Sequence, residues 1–129
     1  MVPAIVPAYA AVFALIFVAL SFRVANSRRV MRIGLGHGGN VILERRVRVQ
    51  GNFAEYVPLA LILFTFLEWQ GWSRWLVHTL CLVLLFARLV HAYGVAREPE
   101  DIRIRASAMI TTFMVLTVAA LLLLFDAII

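Results

Sequence analysis

The sequence predicts an all-α, integral membrane four-helix bundle, and three observations predict it. Hydrophobic residues make up 64% of the 129 residues and charged ones only 15%, too little polar surface to keep a domain of this size in water. Four apolar stretches approach the roughly 20 residues that a helical span requires: about residues 3–22, 52–69, 75–93 and 106–128. The arginines alternate, rich in the first and third connections and sparse in the second. One compact domain, 1–129, accounts for all of it.

The first span contains Ala8-Tyr9-Ala10, which imitates a signal-peptidase site. That triplet precedes the apolar run and no basic segment leads it, so the span is expected to stay in the mature chain. The first connection includes the run GLGHGG at 34–39. No strand precedes it and its spacing is not that of a dinucleotide loop, so it reads as a turn between helices, with His37 solvated. The second span is short and opens on polar residues, so its helix is expected to extend backwards to about Leu43. Pro58 removes one of its backbone hydrogen bonds and is expected to bend it.

Trp69, Trp72 and Trp75 cluster at the second connection, where aromatic side chains mark the membrane–water interface. The third span holds the lone cysteine, Cys81, which reads as inert packing and excludes both a disulfide framework and a cysteine-pair metal site. His78 and Glu68, near the same end as the tryptophans, read as structural. No metal centre is expected.

All 12 basic residues are arginine. The first connection carries Arg23, Arg28, Arg29, Arg32, Arg45, Arg46 and Arg48, the third Arg97, Arg103 and Arg105, and the middle one only Arg74. Positive charge retained on the cytoplasmic side puts the first and third connections there and both termini outside. For a bacterial host the expectation is a multi-pass protein of the cell inner membrane with periplasmic termini. The net charge of +5 is then matched to membrane lipids. With no soluble basic face and no aromatic-rich sheet, nucleic acid is not an expected partner.

Polar residues inside spans are the chemical signal. Arg48, Asn52 and Glu55 recur at i, i+4 and i+7, on one side of a helix. Arg88 and His91 form a second stripe at i and i+3, and Arg105 opens the fourth span at the same end. An ionisable group costs roughly 2.5–3.5 kcal/mol near the bilayer centre, so such groups face a bundle interior or a cavity. Two readings fit. The stripes can bind a small zwitterion, with arginines pairing carboxylates bidentately and Glu55 accepting from an ammonium. Equally, Arg48 and Glu55 can form a structural ion pair while Asn52 bonds across helices.

The segment ERRVRVQGNFAEYVPLAL (44–61) resembles the signature helix of the MAPEG family, the membrane-associated proteins in eicosanoid and glutathione metabolism. It follows the family pattern E-R-x-x-R-x-x-x-N-x-x-E-Y-x-P over fifteen positions. LLFARLVHAYG (84–94) resembles the family's third helix, and SRRVMR (27–32) sits where the family has a basic cluster after its first. The resemblance covers nearly the whole chain and is nearest to short bacterial inner-membrane members.

The resemblance implies a homotrimer of four-helix subunits, with a site between neighbouring subunits near the cytoplasmic face. It implies glutathione as co-substrate, held by Arg48, Asn52, Glu55 and Tyr56 with Arg88 and His91. Arg105, or Arg103, together with Arg28 or Arg29, stands where the family places arginines near the thiol. The expected activity is a glutathione-dependent transferase or peroxidase acting on a lipophilic small molecule that enters from the bilayer. The alternative is a non-catalytic membrane protein of the same fold that binds a lipid or a partner helix. Val95 replaces a tyrosine that eicosanoid-forming members commonly carry four residues after the His91 position, which argues against eicosanoid chemistry.

Overall fold

The computed structural model describes residues 2–128 as four helices: α1 (Ile5–Met31), α2 (Val41–Trp69), α3 (Arg74–Ala96) and α4 (Ile102–Ile128). All four are long and apolar enough to cross a membrane. At 1.5 Å per residue they are roughly 35–44 Å long, more than the ~30 Å hydrocarbon thickness. Their polar ends therefore extend past it. The short connections make successive helices antiparallel, and α2 touches all three of the others.

Each helix is longer than its apolar run. The α1 helix continues to Met31, so Arg23, Arg28 and Arg29 lie on it and not in a loop. It ends where Arg32 turns left-handed (φ 54°), with Ile33 N–H donating to the Arg28 carbonyl at 3.1 Å and Arg32 N–H to Arg29 at 3.4 Å. This is the bond pattern of a Schellman ending. As expected, α2 begins well before its apolar segment: Asn40 caps it by accepting from Leu43 N–H at 2.9 Å. The helix runs unbroken through Pro58. It closes on a second Schellman pair, Trp72 to Leu67 and Gly71 to Glu68, with Gly71 at φ 85°, a conformation free of strain only for glycine.

The α4 helix begins at Ile102, four residues earlier than the apolar run suggests. Asp101 caps it, accepting from Arg103 N–H at 2.9 Å. Arg103 and Arg105 thus stand in the first turns of the helix. Cations are unfavourable at that pole of the helix dipole, and Asp101 with Glu100 supplies compensating negative charge.

The core joins Phe13 of α1, Phe53 and Phe64 of α2, Leu84 of α3 and Val115 of α4. Cys81 is fully buried within it. At the tryptophan end, Glu68 accepts from three backbone N–H groups at the start of α1: Ala4 at 2.7 Å, Ile5 at 2.6 Å and Val6 at 2.8 Å. These are orphan donors of a helix start, and a carboxylate at the positive pole satisfies them with charge assistance. Nearby, Tyr9 hydrogen-bonds His78 at 3.2 Å, and the Trp72 indole donates to Asp126 at 2.7 Å. At the arginine-rich end α3 and α4 approach closely: a Cβ on Gly94 would lie 2.9 Å from the Ile104 Cγ2 and 3.4 Å from the Arg105 backbone nitrogen.

Two stability predictions follow from these contacts. Glu68→Ala removes a three-fold cap, and loss of a cap costs about 0.5–2 kcal/mol; the unfolding midpoint in mild detergent should fall, while Glu55→Ala, which touches no helix end, should shift it less. Gly94→Ala should cost about 1–3 kcal/mol by overpacking and should displace the start of α4, read as increased hydrogen exchange at 102–106.

Candidate functional site

The signature residues of α2 divide between two environments. Arg48 and Glu55 lie on the outer side of the helix, paired at 3.9 Å with side chains 56% and 54% exposed. Asn52, about 40° from Arg48 around the helix by its geometry, turns inward and is buried. There its side-chain oxygen accepts from Arg88 of α3.

Arg88 is the centre of a buried cluster. Its guanidinium also donates to the Thr112 hydroxyl at 2.7 Å and lies 3.4 Å from the Met109 sulfur, both on α4. The Tyr56 ring sits with its centroid 5.9 Å from the Arg88 Cζ and meets Phe113 at 5.6 Å. The Arg88 Nε is buried and has no hydrogen-bond partner among the described residues. His91, one turn further along α3, is buried as well. Thr112 and Met109 carry no signal in sequence, because an apolar run with threonines at 111, 112 and 117 does not tell which of them points inward.

A cavity of about 240 Å³ opens at the arginine-rich end, where α2, the end of α3 and the start of α4 meet. It is lined by Val41, Glu44, Arg45, Arg48, Val95, Glu100 and Arg105. Two of the expected site residues, Arg48 and Arg105, therefore share one cavity. Arg105 is held by Glu100 at 3.1 Å. Glu44 was legible as an i, i+4 neighbour of Arg48 on the same helix side; Glu100 was not, because its contact depends on how the 97–101 connection folds back.

The remaining arginines go elsewhere. Arg28 donates to the carbonyls of Gly36 at 2.7 Å and Ile33 at 3.4 Å, so it shapes the first connection. Arg29 and Arg103 are exposed, and neither lines the cavity. Among the described residues no three His, Cys, Asp or Glu side chains converge to hold a metal ion.

Comparison with known proteins agrees with this architecture. The model of the MAPEG family matches residues 6–125. The inner membrane protein YecN of Escherichia coli strain K12 is 41% identical over 86 residues, 67% of this chain and 66% of the relative. YecN of strain CFT073 gives the same figures. The match thus covers just under two thirds of the curated relatives' own length. With four apolar helices and a family match over almost the entire chain, the protein is a membrane protein of the MAPEG family.

Proposed function

We propose that this protein is a glutathione-dependent transferase or peroxidase of the inner membrane, working as a homotrimer on a lipophilic electrophile. The observation that carries the reading is the exposed Arg48–Glu55 pair beside a cavity that also contains Arg105. On a helix long enough to cross a bilayer, ionised groups facing lipid are unfavourable by several kcal/mol in total. Covering by a second copy of the chain, with a zwitterionic ligand between them, removes that exposure. Glutathione offers two carboxylates to arginines and an ammonium to Glu55, and Asn52 and Tyr56 lie within one turn of the pair. His91, with Arg88, backs this face from α3.

Chemically, the residues serve to hold the tripeptide and to stabilise its thiolate. A free thiol has a pKa near 8.5, lowered by an adjacent cation. Arginine keeps its charge at any working pH, so it acts without titrating itself. In conjugation the thiol proton leaves to solvent, the thiolate forms a carbon–sulfur bond, and the leaving group departs with the electron pair of the bond it breaks. Arg105 is the proposed thiolate partner because it shares a cavity with Arg48; Arg103, Arg28 and Arg29 follow in order. The non-catalytic reading, in which the same face holds a lipid or a partner helix, draws support from Glu100, which already occupies Arg105, and from Val95, which brings no hydroxyl to the cavity.

The membrane relatives and the arginine distribution together support an inner-membrane placement with the site at the cytoplasmic face and both termini periplasmic. An alkaline phosphatase fused after Ile129 should be active, and an inactive fusion would reverse the orientation. Calorimetry of the detergent-solubilised protein should detect glutathione binding. Removing one partner of a charged contact typically costs about 2–5 kcal/mol, so Arg48→Ala or Glu55→Ala should abolish detectable binding while native mass spectrometry still records a trimer. Arg105→Ala should retain most binding but raise the bound thiol's pKa, followed by thiolate absorbance and turnover of an aryl halide. Absence of binding at millimolar glutathione would favour the non-catalytic reading.

A further inference from the structure

A second polar cavity lies on the neighbouring face of α2. About 190 Å³ in volume, it is lined by Arg23 of α1, by Ile42, Arg45, Arg46 and Val49 of α2, by Ala96 at the end of α3 and by Glu98 just beyond it. It shares only Arg45 with the cavity that holds Arg48 and Arg105. Three arginines here line the cavity with a single carboxylate, and that carboxylate makes one long ion pair: Glu98 is 3.8 Å from the Arg45 Nε, with its own side chain 59% exposed.

The hydrogen bonds of Arg45 and Arg46 go to neutral acceptors. Arg45 donates to the carbonyls of Arg97 at 2.7 Å and Val95 at 3.5 Å. Arg46 donates to Ser27 Oγ, and the buried Ser27 hydroxyl in turn donates to the Arg23 carbonyl at 2.7 Å. The Arg46 Nε is buried without a hydrogen-bond partner among the described residues. A buried charged donor left unmatched is costly, and here it belongs to a side chain lining a cavity with excess positive charge. The lining, three arginines to one carboxylate, favours an anion in that space.

We propose that this cavity is a phosphate-binding site. A phosphate group presents its anionic oxygens, two in a phosphodiester and more in free phosphate, in a tetrahedral array to converging guanidinium forks, and arginine matches it bidentately. The site stands where α1 passes from its apolar run to its first arginine. Its wall combines those arginines with Ile42, Val49 and Ala96, so the phosphate can arrive as the headgroup of an anionic phospholipid with its glycerol end along the apolar residues, or as free inorganic phosphate. Juxtamembrane arginines contribute to anionic headgroup binding at about fivefold each.

The full-length protein in mild detergent is titrated with phosphatidylglycerol or phosphatidylcholine and followed by native mass spectrometry, and separately with inorganic phosphate by calorimetry. Phosphatidylcholine carries the same phosphodiester neutralised by its own cation. Preference for phosphatidylglycerol, weakened about 25-fold in Arg23→Gln/Arg46→Gln, establishes the site and identifies a lipid source. Inorganic phosphate binding lost in the same variant, without a lipid preference, establishes the site with a soluble source. Glu98→Gln removes the competing carboxylate and should tighten either ligand several-fold. Failure of both ligands to bind the unaltered protein overturns the proposal, as does binding that neither variant changes. If the double arginine variant does not fold, Glu98→Gln decides, and an unchanged affinity there is a refutation.

Discussion

A guanidinium buried among three helices organises the arginine-rich half of this bundle. Arg88 of α3 reaches Asn52 on α2 and Thr112 on α4, so one side chain cross-links the three helices that form the first cavity. None of its partners is a carboxylate. Its charge is therefore solvated by dipoles alone, which in a low-dielectric interior makes every one of those bonds matter. Arg48, Tyr56 and Arg105 take their positions from helices that this cluster fixes. The first cavity is thus framed by helices tied together through a buried cation.

The use of arginine throughout follows from the same physics. Two guanidiniums donate to backbone carbonyls of the connections: Arg28 to Gly36 and Arg45 to Arg97. A planar fork with five donors can satisfy a carbonyl and still present charge on another edge, whereas a compact ammonium spends its donors around a point. This lets Arg45, which ties down the end of α3, also line both cavities.

Much of the fold was legible because membrane helices announce themselves in one dimension. Apolar length marked the four helices, and the polar start of the second span correctly pulled α2 back towards Leu43. Helix ends were less legible: α1 and α4 extend through arginines that composition assigns to connections, because capping by Arg32 and Asp101 depends on local backbone geometry. The stripe Arg48, Asn52, Glu55 reads as one face at helical spacing, yet Asn52 sits at its edge and is drawn inward by Arg88, 36 residues away. Which edge of a stripe turns inward is decided by a neighbouring helix. Glu68 was legible as structural but not as a cap, since its partners lie more than 60 residues earlier.

That long-range cap has a consequence for how the chain is made. The α1 helix starts with amide groups that nothing within its own span can satisfy, and it shares them with a carboxylate on another helix. Their partner sits at the far end of α2, so it arrives only after a further span has been translated and has crossed back. Until then water at the interface must satisfy the first turn of α1 in its place. Biogenesis should therefore proceed by hairpins, with α1 and α2 committing to the bilayer as a pair and the carboxylate closing the hairpin once both are in place.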